Sequence, residues 1–220
     1  MNMTLSFAEE NYLKTIYHLS SGGSKDVLTN QIAGAMKTKA ASVTDMLKKL
    51  SAKSVITYEK YYGVRVTKQG KSEALNVIRK HRLWETFLVK KLRFNWDEVH
   101  ELAEQLEHIH SPILIQKLDE FLGFPTTDPH GEPIPDHNGN VNMQAQQPLN
   151  VLGPGYKGEI VAVKDSDSTL LKFLDKIGAV PGKKIAVISK EEYDESLEVE
   201  IETKRISISR AVSKNILVAV

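Results

Sequence analysis

Between Lys80 and His110 the chain reads KHRLWETFLVKKLRFNWDEVHELAEQLEHIH, and no other stretch constrains the fold as much. Six of the seven histidines lie between His81 and His137. His100, Glu104, Glu107 and His108 stand at helical offsets of zero, four, seven and eight. At about 100° per residue that is one stripe about 100° wide. His81 and Glu85 form a second pair at i,i+4 on one face of the preceding helix. Val99, Leu102, Ala103, Leu106 and Ile109 run beside the stripe, so this helix has a face to bury and a row of imidazoles and carboxylates next to it. Such groups converging from two helices are the ligand set of a divalent transition-metal site. A solvated helix face is the plainer alternative for any one of these residues; the stripe taken with the pair favours metal.

The rest of the composition narrows the donor chemistry. The 220 residues include no cysteine, which excludes disulfides, Cys-ligated zinc and iron–sulfur clusters. Imidazole and oxygen remain as the strong donors, a set suited to manganese, ferrous iron, zinc, cobalt or nickel. Lys and Arg number 29 against 28 Asp and Glu, so any contact with nucleic acid must come from a local patch and not from bulk charge. The N-terminal MNMTLSFAEENYLK lacks the basic start and apolar core of a signal peptide, and no apolar run reaches the length of a membrane span. The expectation is a cytoplasmic protein with no membrane partner.

Ser6 followed by Glu9 reads as a capping box opening a first helix with Tyr12, Leu13, Ile16, Tyr17 and Leu19, stopped at Gly22-Gly23. A second helix starts near Thr29. After a break at Thr38-Lys39-Ala40, residues 41–50 make a third, with Val43, Met46, Leu47 and Leu50 inside and Ser42, Thr44, Asp45, Lys48 and Lys49 outside. Residues 55–58 and 64–67 read as two strands, with Gly63 in the turn between them. Helix, helix, turn, helix, hairpin is the order of a winged helix-turn-helix. The small residues Ala40, Ala41 and Ser42 let the third helix approach a groove closely, and Thr44 can reach a base edge or a phosphate. Lys39, Lys48, Lys49, Lys60, Arg65 and Lys68 supply local positive charge, and Tyr61 and Tyr62 stand at the wing tip. Asp45 on the outer face works against this unless it accepts from a cytosine amine. A domain used for protein–protein contact stays open as the alternative.

A long helix over residues 71–91 and a helix capped by Asp97 and ending near His110 lead into a third apolar segment, Ile113 to Leu122. These helices are richer in large apolar residues than one small domain needs, which points to a homodimer interface; a thicker monomeric core is the alternative. Six of the eight prolines fall between Phe124 and Gly155, marking a linker or a long ordered loop in which Asp128 and His130 can donate to a metal. The last 65 residues alternate short strands with a helix at 168–177, the pattern of a small β-barrel, with Asp165 and Asp167 near its first loop. The fold expected is mainly α with a small β part. Its pieces are a winged helix-turn-helix (1–70), a helical metal-binding and dimerisation domain (71–123), a linker (124–155) and the barrel (156–220).

EENYLKTIY, KTKAASVTDMLKKL, the wing EKYYGVRVTKQG, RKHRLWETFLV and VHELAEQLEH occur in an order that resembles the diphtheria-toxin-repressor family of metal-dependent transcriptional regulators. LGFPTTDPHGEPIP resembles the linker of its streptococcal-type manganese regulators, and LLKFLDKIGAVPGKKIAV the FeoA-like barrel of its longer members. The resemblance implies two metal positions. His81, Glu104, Glu107 and His108 match the primary one, with Asn11 standing where the family has an acid or Met and Lys14 where one manganese branch has Glu. Glu85 and His100 match the secondary one. There Asp128 stands in place of a Cys, His130 matches a His, and Asp165 or Asp167 is the acid from the barrel. Glu at position 104, where iron-responding relatives have Cys, implies manganese(II) first and iron(II) next, with zinc or cobalt as substitutes in vitro. The family further implies a homodimeric repressor of metal-homeostasis genes, in which metal draws in the first helix through Asn11. Two recognition helices would then read a pseudo-palindromic DNA operator at successive major grooves about 34 Å apart. It implies no enzyme and no small organic substrate. Two other readings remain: a carboxylate-bundle metalloenzyme built on Glu107-x-x-His110, and a metal-independent winged-helix regulator.

Overall fold

The computed structural model describes residues 4–59, 62–142, 144–164 and 167–220. The chain divides into two compact units. One is Met1–His81 with Leu106–His110 and Pro135–Asn140; the other is Arg82–Gln105 with Ser111–Ile134 and Val141–Val220. No helix among the described residues is long and apolar enough to cross a membrane.

In the first unit α1 (Phe7–Leu19) opens on the capping box: Ser6 Oγ accepts from the Glu9 N–H while the Glu9 carboxylate accepts from the Ser6 N–H at 2.7 Å. A cap of this kind contributes about 1 kcal/mol. Glu9 also pairs with Lys53 at 2.8 Å. α2 (Thr29–Ala35) and α3 (Ala40–Ala52) follow, separated by a turn in which Lys37 takes a positive φ of 48°. β1 (Ile56–Glu59) and β2 (Gly63–Val66) pair antiparallel, Ile56 opposite Val66 and Glu59 opposite Gly63. The hairpin lies against the strand-like residue before α2, because Val27 and Val64 exchange both backbone hydrogen bonds at 2.9 Å. A side chain at Gly63, with φ of 112°, would bring Cβ to 2.8 Å from the Val27 carbonyl, so only glycine permits that approach. Leu13, Ile16, Ile32, Val43, Leu47, Leu50 and Val64 are fully buried together. Each such side chain contributes about 1.5–3 kcal/mol. Met46, expected inside, is only half-buried.

α4 (Lys68–Lys90) starts in the first unit and passes into the second after His81. α5 covers only His100–Leu106. The expected helix from Asp97 to His110 is thus shortened at both ends. Asp97 does not cap it; its carboxylate accepts from Ser168 Oγ at 3.2 Å and lies 3.5 Å from Lys172 Nζ. At the other end Ser111 is extended (φ −130°, ψ 95°), as a residue before proline must be, and its side chain caps α6 (Pro112–Leu122). The helical stripe therefore breaks before Glu107.

The C-terminal part of the second unit is a six-stranded antiparallel sheet in the order β3-β8-β4-β5-β6-β7. Its strands are β3 (Gln146–Pro148), β4 (Lys157–Val163), β5 (Lys184–Lys190), β6 (Leu197–Ile201), β7 (Lys204–Ile208) and β8 (Ile216–Ala219). Register shifts in β4 between Ile160 and Ala162, and in β5 between Val187 and Ser189, are bulges that add twist and let so short a sheet curl around its core. α7 (Ser168–Ile177) is capped by Asp167 and buries Leu171 and Leu174 against Ile160, Val187, Val199 and Val218. The four-residue α8 (Arg210–Ser213) and the edge strand β3 were not legible in the sequence.

Candidate metal centre

In the second unit α4 presents Glu85, which is 2% exposed, and the turn 128–132 presents Asp128 and His130. The turn is built on its own backbone. Asp128 Oδ1 accepts from the N–H groups of His130 (2.8 Å) and Glu132 (3.0 Å), and the Gly131 N–H donates to the Asp128 carbonyl. Gly131 has φ of 84°, and a Cβ there would sit 1.9 Å from the Val161 carbonyl oxygen. The missing side chain lets the turn press onto β4, where the Val163 N–H donates to the His130 carbonyl at 2.8 Å. One ligand atom from each of Glu85, Asp128 and His130 lies within 4.8 Å of the others, and all three residues are buried.

His130 Nε2 is 2.9 Å from the Trp96 carbonyl oxygen. A carbonyl only accepts, so Nε2 carries the hydrogen and Nδ1, 3.4 Å from Glu85 Oε2, is the atom left for a ligand. The Trp96 indole stacks on the imidazole with centroids 5.6 Å apart. His100 Nδ1 lies 3.4 Å from Glu85 Oε1 and its Nε2 3.7 Å from Glu104 Oε1. Arg82 donates to the Pro133 carbonyl and the Glu132 carboxylate, and its Nε is 3.6 Å from Asp128 Oδ2.

Burial, then the neighbouring charges of Glu85 and Glu132, push the Asp128 carboxyl up to about 7. Burial pulls His130 down, but the hydrogen bond and charge of Glu85 with the charge of Asp128 raise it above its ordinary value. Asp128 Oδ2 is buried with no hydrogen-bond partner. An unsatisfied carboxylate oxygen beside a second carboxylate is costly, and a cation between them removes the cost. Two carboxylates, an imidazole and no sulfur fit a hard or borderline divalent ion. Asp165, the expected acid from the barrel, lies outside the described residues; Asp167 is exposed and caps α7.

The first unit holds a separate cluster. His81 Nδ1 donates to Glu107 Oε2 at 2.6 Å, and Lys14 Nζ lies 2.5 Å from Glu107 Oε1. His108 has Nδ1 at 2.5 Å from Glu10 Oε2 and Nε2 at 2.9 Å from Asn11 Oδ1, with the Phe7 ring tilted at 44° against it, centroids 3.9 Å apart. Lys80 Nζ is 3.6 Å from Glu10 Oε1. Burial pushes Glu107 up, yet His81 and Lys14 outweigh it and hold the carboxyl below the usual range. The structure thus brings together Asn11, His81, Glu107 and His108, whereas Glu104 belongs to the second unit, beside His100. Glu10, Lys80, Arg82, Glu132 and Trp96 were not singled out from the sequence. Glu10 alone carried a signal, as an acid next to Asn11 in the first turns of α1.

Lys39, the residue before α3, and Ala41, Ser42, Lys48 and Lys49 on it are exposed. Thr44 is half-buried and its hydroxyl donates to the Ala40 carbonyl at 3.0 Å. Lys48 lies 3.4 Å from Asp45, both exposed. Arg65 on β2 makes two bonds to Asp26, at 2.7 and 3.0 Å, so its charge is already matched. Lys60 and Tyr61 lie outside the described residues; Tyr62 is exposed.

Three sequence profiles cover most of the chain. That of the iron-dependent repressor N-terminal DNA-binding domain matches residues 4–64, that of the iron-dependent repressor metal-binding and dimerisation domain 67–136, and that of the FeoA domain 147–220. The iron-dependent repressor IdeR of Mycobacterium leprae is 33% identical over 126 residues, 57% of this chain and 54% of that protein; the match spans about half the length of this curated relative. A solved manganese-dependent transcriptional repressor in complex with manganese superposes with a TM-score of 0.87 at 30% identity, over 96% of this chain and 99% of that one. The manganese regulator SloR superposes with a TM-score of 0.75 at 31% identity, over 98% and 99%. With its domain order and its fold matched along nearly the whole length, the chain belongs to the iron-dependent repressor family, the diphtheria-toxin-repressor-like regulators, in the long form that ends in a FeoA domain.

Proposed function

We propose that this protein is a divalent-metal-dependent, DNA-binding transcriptional repressor of metal-homeostasis genes, answering to manganese(II) first and iron(II) next. It acts in the cytoplasm as a homodimer on a pseudo-palindromic operator, with no catalytic step. The observation that carries the reading is the buried trio Glu85, Asp128 and His130 with its unsatisfied Asp128 oxygen, in a chain that also carries a helix-turn-helix. A bound divalent cation supplies the positive charge that lets Glu85 and Asp128 stay ionised side by side. An all-oxygen-and-nitrogen donor set, with Asp at position 128, favours manganese over softer ions.

The remaining roles are assigned to the chain's own residues. Lys39, Lys48 and Lys49 neutralise phosphates while Ala41, Ser42 and Thr44 sit at the groove; Tyr61 and Arg65 serve the wing. Glu85, His100, Asp128, His130 and Asp165 form one metal set. His81, Glu107, His108 and Asn11 form the other, to which Glu10 is added on its contact with His108, while Glu104 stays with His100 in the second unit. Trp84, Phe87, Leu114, Leu118 and Phe121 line an apolar groove in the second unit; Phe121 is 61% exposed there, and Ile113, on the same helix, is 74% exposed. That surface suits a second copy of the chain, in keeping with the dimerisation profile matched over these residues. The domain limits proposed are 1–70, 71–123, 124–155 and 156–220.

The test is operator binding at fixed salt with manganese, iron, zinc, cobalt or chelator. Manganese is expected to raise affinity on the order of 100-fold, about 2.7 kcal/mol of coupling. Equal affinity in chelator overturns the reading.

A further inference from the structure

The first-unit cluster carries its own cation. Lys14 Nζ lies 2.5 Å from Glu107 Oε1, and the same oxygen is 3.5 Å from His108 Nε2, which in turn is 2.9 Å from Asn11 Oδ1. Glu107 is fully buried and the Lys14 side chain is only 12% exposed, so the ammonium is held inside, not laid over the surface. Asn11 adds no negative charge, so the carboxylates of this cluster are Glu10, facing Lys80, and Glu107, facing Lys14. An ammonium and a divalent ion cannot both take the same carboxylate oxygen at close range without strong repulsion.

We propose that Lys14 is an intramolecular competitor for metal at this cluster. Its ammonium takes the Glu107 oxygen that faces His108, and a divalent ion reaches Glu107, His108 and Asn11 only by displacing it. Lys14 thereby raises the metal concentration at which the first unit responds. This rests on the metal-dependent reading above.

Manganese(II) binding, read from the electron paramagnetic resonance signal of the free ion, tests the proposal without recourse to DNA. The full chain carries Glu85→Gln throughout, which silences the second centre. In that background Lys14→Met is expected to tighten manganese binding about tenfold or more, and Lys14→Arg, which keeps the charge, is expected not to. Lys14→Gln repeats the comparison with a neutral donor left for Glu107, should Lys14→Met lose its circular-dichroism signature. Unchanged or weaker binding in the folded neutral variants, or no manganese bound with or without Lys14, overturns the proposal. If the otherwise wild-type chain still shows manganese-dependent operator binding, that failure is confined to Lys14. Loss of the operator response itself sinks the functional reading instead.

Discussion

The two polar clusters draw on nearly the same side chains and differ in how their charge is balanced. In the first unit Glu107 meets Lys14 and His81, Glu10 meets Lys80 and His108, and the Glu107 carboxyl is held below the usual range. In the second, Glu85 and Asp128 face each other across His130, Arg82 is shared with Glu132, and the Asp128 carboxyl is pushed up to about 7 with one oxygen unsatisfied. A list of imidazoles and carboxylates does not by itself make a cation site. The shortfall of positive charge does, and only one of the two clusters shows it plainly.

Removing a balanced carboxylate should have the largest consequence for the metal-free fold. Glu107→Gln takes away the negative charge, and one of the two acceptor oxygens, that His81 and Lys14 share, and a loss of about 3–5 kcal/mol is expected in urea unfolding under chelator. A loss below about 1 kcal/mol would mean the cluster is not balanced as described. Asp128→Asn is the counterpart. It should weaken manganese binding on the order of 100-fold by calorimetry while leaving metal-free stability unchanged or raised. Its pH dependence sharpens the contrast. The folded Asp128 carboxyl titrates near 7, above the value near 3.9 of an unfolded chain, so the folded state holds the extra proton between them. That stability is present at low pH and lost as pH rises through about 7; the raised His130 acts with the same sign. In chelator the chain should lose on the order of 1 kcal/mol between pH 6 and pH 8, and Asp128→Asn should flatten most of the fall. A flat or rising profile in the unsubstituted chain contradicts the assignment. The smallest effect belongs to Asn11→Ala, which removes one neutral acceptor from His108 and should cost about 0.5–1 kcal/mol in the same unfolding assay.

Most of the fold was legible because it rests on local periodicity. The capping box at Ser6, the inner face Val43, Leu47 and Leu50, and α7 over 168–177 stand as read from the sequence. The exceptions have identifiable causes. The stripe at 100, 104, 107 and 108 presumes an unbroken helix, but α5 stops at Leu106 ahead of the extended residue that Pro112 imposes. β3 is three residues of Gln, Gln and Pro, and exists only because β8 pairs with it. The site was half legible. Glu85 and His130 carry ligand chemistry in their side chains, and the resemblance pointed to both. The Trp96 carbonyl that orients His130 is a group every residue possesses, and the pairing of Lys14 with Glu107 spans 93 positions, beyond the reach of any spacing argument.

Trp96 has one more consequence. Its indole lies flat on His130 while its body packs against the apolar centre of the C-terminal sheet. Trp84, the other of the two tryptophans, lines the apolar groove and not this ring pair. Emission from an indole responds to the charge of an imidazole stacked on it, so the unlabelled protein carries an optical gauge of whatever His130 is holding.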